Sequence, residues 1–165
     1  MSQHFMVPDD ARALRDVYAC FPSGVTALCA LLDGVPVGIA ASSFTTVSIA
    51  PPLVSVCIQR NSTTWPLLQA APRIGVSVLG ELHDKVCRQL AAKTGDRFDG
   101  TDWFAASEGS IFIRNSPVLL DCSIYRSYEG GDHELVLLEV HGTRVESELA
   151  PLIFHGSRFR RLDAA

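Results

Sequence analysis

The sequence has 165 residues, of which 47% are hydrophobic and 19% charged, with 14 basic and 18 acidic side chains. A chain this rich in apolar residues can bury a core, which excludes a disordered protein and predicts one domain over residues 1–165. The net charge of −4 favours neither a nucleic-acid surface nor a basic membrane patch.

The first third of the chain predicts a helix followed by strands. Pro8 and the two aspartates after it suit the start of a helix, and the apolar spacing predicts a helix over residues 8–21. The Asp33-Gly34 pair lies between two apolar runs, which is typical of a tight β-hairpin. Residues 53–58 are almost continuously apolar and are expected to form another strand.

The rest of the chain predicts two short helices and several strands. Pro66 suits a first helical turn, and an amphipathic helix is predicted over residues 82–92. The polar stretch 93–110 is predicted to be an excursion over the surface, and residues 129–132 a turn. A final short element is expected over residues 151–162. Strands are predicted over three further stretches: residues 73–79, 118–127 and 134–146.

These elements indicate the class of fold. Six or seven strands joined mainly by hairpins, with two or three helices, predict a mainly β antiparallel barrel with peripheral helices. No βαβ alternation and no GxGxxG or GxxxxGK[ST] loop is present, so the sequence does not predict a nucleotide-binding Rossmann or P-loop domain.

The cysteines and the N-terminal sequence indicate the compartment. Five cysteines are widely spaced and form no CxxC or Cys/His pattern, so no metal site is predicted and four of them are expected to be small core residues. The opening MSQHFMVPDD has no basic segment or apolar core of a secretory signal. The apolar runs are far shorter than the roughly 20 residues of a membrane helix, and a cytoplasmic location is expected.

A cluster of hydroxyl side chains precedes a double proline and an apolar strand. Its members are Ser42, Ser43, Thr45, Thr46 and Ser48. Small hydroxyls and free backbone N–H groups at the mouth of a barrel suit a neutral or anionic planar ligand. A polar edge strand whose side chains face water explains the same composition, and the pattern alone leaves both interpretations open.

Six motifs occur along the chain in the order found in a known family. They are residues 21–26 (FPSGVT), 38–54 (GIAASSFTTVSIAPPLV), 61–64 (NSTT), 96–98 (DRF), 131–133 (GDH) and 151–162 (PLIFHGSRFRRL). With these motifs the chain resembles, over about residues 12–162, the flavin reductase family with an FMN-binding split β-barrel of Greek-key type. Members are small reductase components of two-component flavin-dependent monooxygenases, such as the one acting on 4-hydroxyphenylacetate.

The chain departs from the family pattern at four points. Ala40 stands where the family usually has a threonine or another hydroxyl residue, and Ser42 stands where asparagine is common. Thr46 replaces the usual serine, and Gly156 comes one place early.

The resemblance implies two groups of flavin-binding residues. Expected along the isoalloxazine ring and ribityl chain are Ala40, Ala41, Ser42 and Ser43, with Thr46 or Ser48 holding the ribityl or phosphate portion. Expected at the phosphate, near the start of a helix, are Gln59, Arg60, Asn61, Ser62 and Thr63. Ordinary helix capping by Ser62, Thr63 or Thr64 and a solvated Arg60 are the alternatives.

The resemblance also implies a nicotinamide side. His133 is expected to be the catalytic residue, orienting the nicotinamide carboxamide or donating to the flavin as negative charge develops. Gly131 would allow a positive φ, and Asp132 would orient the turn or the imidazole. A structural histidine is the alternative.

The C-terminal motif is expected to complete the site. His155, Arg158 and Phe159 would close over the flavin or come from the partner subunit, and a solvated tail is the alternative for the arginines. Arg97 and Phe98 are expected to be structural or to gate the cleft. For the two tryptophans, packing is the expected role.

The function implied is an NAD(P)H-dependent flavin reductase. Hydride would pass from the nicotinamide C4 of NADH or NADPH to N5 of FMN or FAD, and the cofactors would carry the chemistry. A homodimer that releases reduced flavin to a partner monooxygenase is expected. A non-catalytic flavin- or haem-binding module on the same barrel is the alternative.

Overall fold

The computed structural model describes Phe5 and residues 10–162, and its architecture is mainly antiparallel β. The described helices are α1 (Ala11–Ala19), α2 (Trp65–Gln69) and α3 (Asp84–Ala91). The described strands are β1 (Ser23–Gly24), β2 (Thr26–Leu32), β3 (Val35–Ala41), β4 (Thr45–Ser48), β5 (Leu53–Gln59), β6 (Ile74–Val78), β7 (Trp103–Ala105), β8 (Ile111–Ile113), β9 (Val118–Gly130), β10 (His133–Val145), β11 (Ile153–His155) and β12 (Arg158–Arg160).

Seven strands form one curled antiparallel sheet in the order β3-β2-β6-β9-β10-β5-β4. Its two end strands, β3 and β4, are joined by only three residues, so the ends of the sheet meet. There the Ser43 hydroxyl donates to the Cys57 carbonyl at 3.0 Å and accepts from the Cys57 N–H at 2.8 Å. The predicted antiparallel split barrel is therefore confirmed, with two small sheets, β1-β11-β12 and β7-β8, beside it.

Two hydrophobic cores lie on opposite faces of β2, because successive side chains of a strand point to opposite sides. Leu28 and Ala30 belong to the core inside the barrel, together with residues such as Val136. Ala27 and Cys29 belong to a second core, outside the barrel. Further members of the second core are Leu79, Cys87, Leu90, Phe98, Ile111, Ile113 and Leu152. This second core attaches α3 and the C-terminal strands to the barrel.

The hairpin turns follow their sequence signals. Asp33 and Gly34 have φ angles of 50° and 79°, the left-handed conformations of a two-residue hairpin turn, so that prediction is confirmed. The turn between β9 and β10 is shorter than the predicted 129–132. Both strands extend further than predicted, and only Gly131 and Asp132 lie between them. Each of these strands has 13 residues.

Two predicted elements differ from the structure. The first helix ends at Ala19 rather than at residue 21, while the proposed start at Pro8 lies outside the described residues. The stretch 93–110 is not simply a surface excursion. Phe98 and Ser110 are buried, because this segment folds back into the β7–β8 hairpin and packs on β2 and β6. Its polar residues occupy the turns. Because they dominate the composition of this stretch, the sequence pattern did not indicate that other positions are buried.

The cysteines are less uniform than predicted. Cys29, Cys87 and Cys122 are buried, but Cys57 is half-buried and Cys20 is exposed. Burial raises the pKa of the Cys87 thiol to about 11 and that of Cys122 to about 12, so both stay protonated and neither is an activated nucleophile. None of the described helices has the length and hydropathy required to cross a bilayer.

Candidate functional site

Three consecutive backbone N–H groups lie open at the junction between β3 and β4. Those of Ser42, Ser43 and Phe44 donate to no acceptor among the described residues. The side chains of Ser42 and Ser43 are small and exposed, so a flat ligand can approach the main chain. Open N–H groups beside small side chains fit the carbonyl oxygens of a planar heterocycle.

The residues that flank this segment have different surroundings. Ala41 is buried in the core of the barrel, whereas Ala40 is half-buried and packs against the second core. Thr46 lies opposite Val54 on edge strand β4, where it is exposed. Ser48 is half-buried at the end of the same strand. Of the flavin-binding residues predicted between positions 40 and 48, therefore, Ser42, Ser43 and Thr46 are exposed.

Ser43 has a structural role that the sequence pattern did not reveal. Its hydroxyl bonds both backbone groups of Cys57, as described above, which holds the open segment against β5. The hydroxyl is thus already engaged within the protein, and the group that Ser43 offers to a ligand is its backbone N–H.

The structure brings the end of β5 and the turn before β10 together. Gln59 pairs with His133, and the backbone N–H of Arg60 donates to the Asp132 carbonyl at 3.0 Å. Cys57, two residues before Gln59 on the same strand, is the residue to which Ser43 bonds. Three of the predicted segments, separated by many residues in the sequence, therefore meet at one end of the β4-β5-β10 part of the sheet.

His133 is oriented by its neighbour in sequence. Its Nδ1 lies 2.6 Å from Asp132 Oδ1, and the imidazole is about one-third exposed. The hydrogen bond and the charge of His133 lower the pKa of Asp132, which keeps that carboxylate ionised as an acceptor. An ionised acceptor at Nδ1 favours a proton on that nitrogen and leaves Nε2 for a ligand.

The predicted phosphate residues border a cleft of about 350 Å³, the Trp65 cleft. Its lining residues are Arg60, Ser62, Trp65, Pro66, Gln69, Ser127, Tyr128, Glu129 and Glu134. Asn61 and Thr63 lie beside it and are exposed. The arrangement places the 59–63 segment at a concave surface, next to the turn that carries His133.

Several polar groups of the Trp65 cleft already have partners. The Arg60 guanidinium binds Glu129 at 3.1 Å. Ser62 Oγ accepts from the backbone N–H of Trp65, the first residue of α2, at 3.1 Å, whereas the N-cap residue Thr64 makes no side-chain capping bond. The Trp65 indole donates to Glu134 at 3.0 Å, so packing rather than ring stacking on a ligand is the role of this buried tryptophan.

The Asp-Arg-Phe motif supports the strand that leads into the open segment. Arg97 Nη1 donates to the Gly38 carbonyl at 2.9 Å, and the Asp96 carboxylate accepts from the Phe98 backbone N–H. A Cβ on Gly38 would lie 2.9 Å from Cζ of Phe98 and 2.6 Å from Sγ of Cys29, so only glycine fits. The motif therefore anchors β3 two residues before Ala40.

The remaining predicted residues lie on the C-terminal hairpin, which pairs with β1. Arg158 and Phe159 line a second cleft of about 650 Å³, the C-terminal cleft, and His155 pairs with Arg158 at the turn. Its other lining residues are Glu81, Asp84, Arg88, Leu152, Phe154, Ser157, Arg160 and Arg161. The two clefts share no lining residue, so the structure separates this group from the 59–63 group.

Sequence reasoning missed Arg88 in the C-terminal cleft. Its guanidinium lies 5.2 Å from the centre of the Phe159 ring, a cation–π contact that joins α3 to β12. The only local sign was the Asp84–Arg88 spacing, which indicates an ordinary helix surface pair.

A family model described as "Flavin reductase like domain" matches residues 18–163. The match spans most of the chain and all six motifs described above.

Curated relatives from bacteria are similar over most of their length. One is the "Actinorhodin polyketide dimerase" of Streptomyces coelicolor, 34% identical over 94% of this chain and 89% of that protein. Another is the "Flavin-dependent monooxygenase, reductase subunit HsaB" of Rhodococcus jostii, 32% identical over 93% of this chain and 79% of that protein.

A solved structure has the same fold. It is the "NADH:FAD oxidoreductase SgcE6" of Streptomyces globisporus in complex with NAD and FAD fragments. Its TM-score is 0.91 and its sequence is 37% identical, and the alignment covers 98% of each chain.

Proposed function

This chain belongs to the flavin reductase-like family, and from this premise we propose that it reduces a flavin with NADH or NADPH for use by a separate monooxygenase. The observation that carries the proposal is the open main chain at residues 42–44, which Ser43 holds against β5, together with the His133 turn at the opposite edge of the same strand. With both cofactors bound, the nicotinamide supplies a hydride from C4 to N5 of the flavin. The protein supplies positions, hydrogen bonds and exclusion of water.

The flavin ring fits the open segment. The N–H groups of Ser42, Ser43 and Phe44 would bond the carbonyls of its pyrimidine edge without adding charge. Ala40 and Ala41 keep the adjoining main chain free of bulk, and Thr46 and Ser48 would contact the ribityl chain. In support, Ser43 and Arg97 fix this segment from both sides, so its donors are held in place before the ring arrives.

His133 would serve the nicotinamide side as the catalytic residue. With Asp132 accepting from Nδ1, Nε2 is available to orient the carboxamide or to donate when the imidazole is protonated. Gly131, at φ 73°, gives the turn a conformation that favours glycine and brings Asp132 to the ring.

The flavin phosphate would lie at the 59–63 segment. Gln59, Asn61 and Thr63 are exposed there, and Arg60 supplies positive charge once it is released from Glu129. We also propose that His155, Arg158 and Phe159 contact a cofactor, at the C-terminal cleft.

We propose that the protein is a homodimer, and apolar residues left outside the cores support this. Tyr128 and Leu135, which are cross-strand partners on β9 and β10, are exposed, and so are Val17 and Tyr18 on α1. A second copy would cover these residues. Sedimentation velocity tests this: a dimer is expected, and a monomer at all concentrations would contradict it. That the chain acts as one domain in the cytoplasm also remains a prediction.

The alternative function is a binding module that holds a flavin without reducing it. A fold shared by proteins of different activity does not by itself decide between the two. The arrangement of His133 favours the reductase, because a storage module has no use for an imidazole that Asp132 orients.

The test is a direct assay of the purified protein. NADH or NADPH is mixed with FMN, FAD or riboflavin, and absorbance at 340 nm is followed with and without flavin. We expect flavin-dependent loss of reduced nicotinamide. Flavin binding without such loss, for both nucleotides and all three flavins, would favour the binding module.

A further inference from the structure

Thr26 carries a buried hydroxyl at the point where the β2–β3 ladder ends. It is the first residue of β2 and pairs with Ala41, the last residue of β3. Its side chain lies on the same face of β2 as Leu28 and Ala30, inside the barrel, and the residue is 2% exposed. A hydroxyl buried there loses free energy unless it finds a partner. The Thr26 hydroxyl donates to the Ala41 carbonyl at 3.0 Å.

This carbonyl belongs to the peptide group that carries the first open N–H. The Ala41 carbonyl and the Ser42 N–H are the two polar ends of one planar trans peptide, so they point in opposite directions. Because Thr26 holds the carbonyl toward β2, the Ser42 N–H is directed away from β2. Strand β3 is an end strand of the sheet, so this direction leads into the split between β3 and β4.

The same bond makes the Ser42 N–H a stronger donor. A hydrogen bond accepted by a carbonyl polarises its peptide group, and the N–H at the other end then donates more strongly. Water weakens such effects, but the Thr26 hydroxyl lies in the interior of the barrel. Thr26 therefore sets both the direction and the donor strength of the Ser42 N–H, while its own side chain stays buried.

Thr26 acts on a different peptide group from the other two side chains that hold this segment. Ser43 bonds both backbone groups of Cys57, and Arg97 bonds the Gly38 carbonyl. Neither of these contacts involves the peptide group between Ala41 and Ser42. Among the side-chain bonds of the described residues, the one from Thr26 is the bond that fixes this group.

We propose that Thr26 is a positioning residue for the flavin, because its hydroxyl directs and polarises the Ser42 N–H that bonds the pyrimidine edge of the ring. The inference rests on the proposed function, in which that edge lies at residues 42–44. The pyrimidine edge gains negative charge when the flavin is reduced, and an aligned donor there binds the reduced ring more tightly than the oxidised ring. Thr26 thereby favours the reduced flavin without touching it.

The experiment measures flavin binding by the full chain. Thr26→Val removes the hydroxyl and keeps the shape of the side chain, whereas Thr26→Ser keeps the hydroxyl. Isothermal calorimetry under anaerobic conditions gives Kd for the oxidised and the reduced form of whichever of FMN, FAD and riboflavin wild type binds most tightly. We expect the ratio of reduced to oxidised Kd to rise about fivefold in Thr26→Val and to keep its wild-type value in Thr26→Ser.

Ser77 provides a matched control on the neighbouring strand. It lies opposite Ala27, is fully buried, and its hydroxyl accepts the Ile113 backbone N–H at 3.0 Å. Ser77→Ala therefore removes a buried bond to main chain away from the open segment. We expect it to lower the urea midpoint about as much as Thr26→Val and to keep the wild-type ratio of Kd values.

Three results would overturn the proposal. They are an unchanged ratio in Thr26→Val, an equal change in Ser77→Ala, and a Thr26→Ser protein whose ratio matches Thr26→Val. Each would show that the Thr26 bond only stabilises the fold. If Thr26→Val does not fold, Thr26→Cys takes its place, because a thiol is a weak donor.

The behaviour of wild type separates this inference from the proposed function. Wild type that reduces flavin, beside a Thr26→Val protein with the same Kd ratio, retains the proposed function and loses the role of Thr26. Wild type that binds flavin without reducing it, while Thr26→Val still raises the ratio, loses the reductase and keeps the role of Thr26. Wild type that binds no flavin loses both.

Discussion

The two clefts contain similar residues but differ in how those residues are paired. In the Trp65 cleft, Arg60 is held by Glu129 and the indole of Trp65 by Glu134. In the C-terminal cleft, Arg158 and Arg160 have no carboxylate partner among the described residues. A ligand entering the first cleft must displace an existing ion pair, whereas the second cleft holds two arginines that have no carboxylate partner within residues 10–162.

The difference shows that the partners a side chain already has indicate its freedom to bind a ligand better than its place in a sequence motif does. Arg60 and Ser62 match a phosphate-binding pattern in the sequence, and both are used within the protein. For Arg158 the sequence left a cofactor contact and a solvated tail open, and for Arg160 it suggested a tail; the fold sets both along a cleft. Exposed ion pairs are weak, so the Arg60–Glu129 pair lowers the affinity of the Trp65 cleft for a phosphate without preventing its binding.

The largest expected effect concerns one aromatic residue from each cleft, Trp65 and Phe159. Trp65→Ala should lower the free energy of unfolding by about 3–5 kcal/mol, because Trp65 is buried and its removal leaves a cavity. Phe159→Ala should cost less, because that ring is only half-buried. Urea unfolding followed by circular dichroism measures both. Equal losses would show that the two aromatic residues do not differ in structural role.

A second prediction concerns His133, on the turn next to the Trp65 cleft. His133→Ala should lower kcat/KM for NADH by about 100-fold, since it removes an oriented donor or acceptor from the nicotinamide. Flavin affinity, measured by fluorescence titration, should change less than about twofold, because the imidazole lies outside the open main chain at residues 42–44.

The control for His133 is a histidine elsewhere on the same strand. His141 is exposed and bonds Ser123, so His141→Ala should leave both constants unchanged. A His133→Ala protein that loses flavin binding while keeping its KM for NADH would reverse the assignment.

A third prediction tests whether the Arg60–Glu129 pair competes with a phosphate. Glu129→Gln removes the carboxylate charge and frees Arg60, so affinity for FMN should rise about fivefold relative to riboflavin. Glu148→Gln, at an exposed position away from the cleft, is the matched control. If the FMN-to-riboflavin ratio stays constant in both variants, the flavin phosphate lies away from Arg60.

The smallest expected effect is a pH dependence from His83, which lies between two residues that line the C-terminal cleft, Glu81 and Asp84. His83, just before α3, accepts the Gly80 N–H on Nδ1 at 3.0 Å, and burial lowers its pKa. Because the unfolded chain then binds the extra proton more readily, this contribution to stability is complete above about pH 6.5. It is lost as the pH falls below that value toward the folded-state pKa.

The measurement compares urea midpoints at pH 7.5 and pH 5.5. His83→Gln should lower the midpoint at pH 7.5 and reduce the difference between the two pH values relative to wild type. His141→Gln should keep the wild-type difference. A His83→Gln protein with the full wild-type difference would show that other groups cause it.

Much of the fold was predictable because its determinants are local. The Asp33-Gly34 turn demands left-handed backbone angles that these two residues tolerate, and the long apolar stretches extend into strands β9 and β10. The fold of the stretch 93–110 was not predictable, because Phe98 and Ser110 are buried by contacts with strands far away in the sequence. The polarity of a short stretch of sequence does not predict such contacts.

The candidate site was predictable in its segments and not in its contacts. The ordered motifs located residues 40–48, 59–63 and 131–133, and sheet pairing joins Gln59 to His133. That Ser43 bonds Cys57, and that Arg97 holds Gly38, could not be predicted, because each bond depends on how the barrel closes.

The sequence by itself determined the family, the antiparallel strands and the turns, since these depend on alternation, turn chemistry and the order of motifs. Only the tertiary structure decided which polar groups are satisfied within the protein and which remain open. Hydrogen bonds and ion pairs act over a few ångströms between residues distant in the chain. Whether an arginine or a backbone N–H is free to bind a cofactor is therefore a property of the packed barrel.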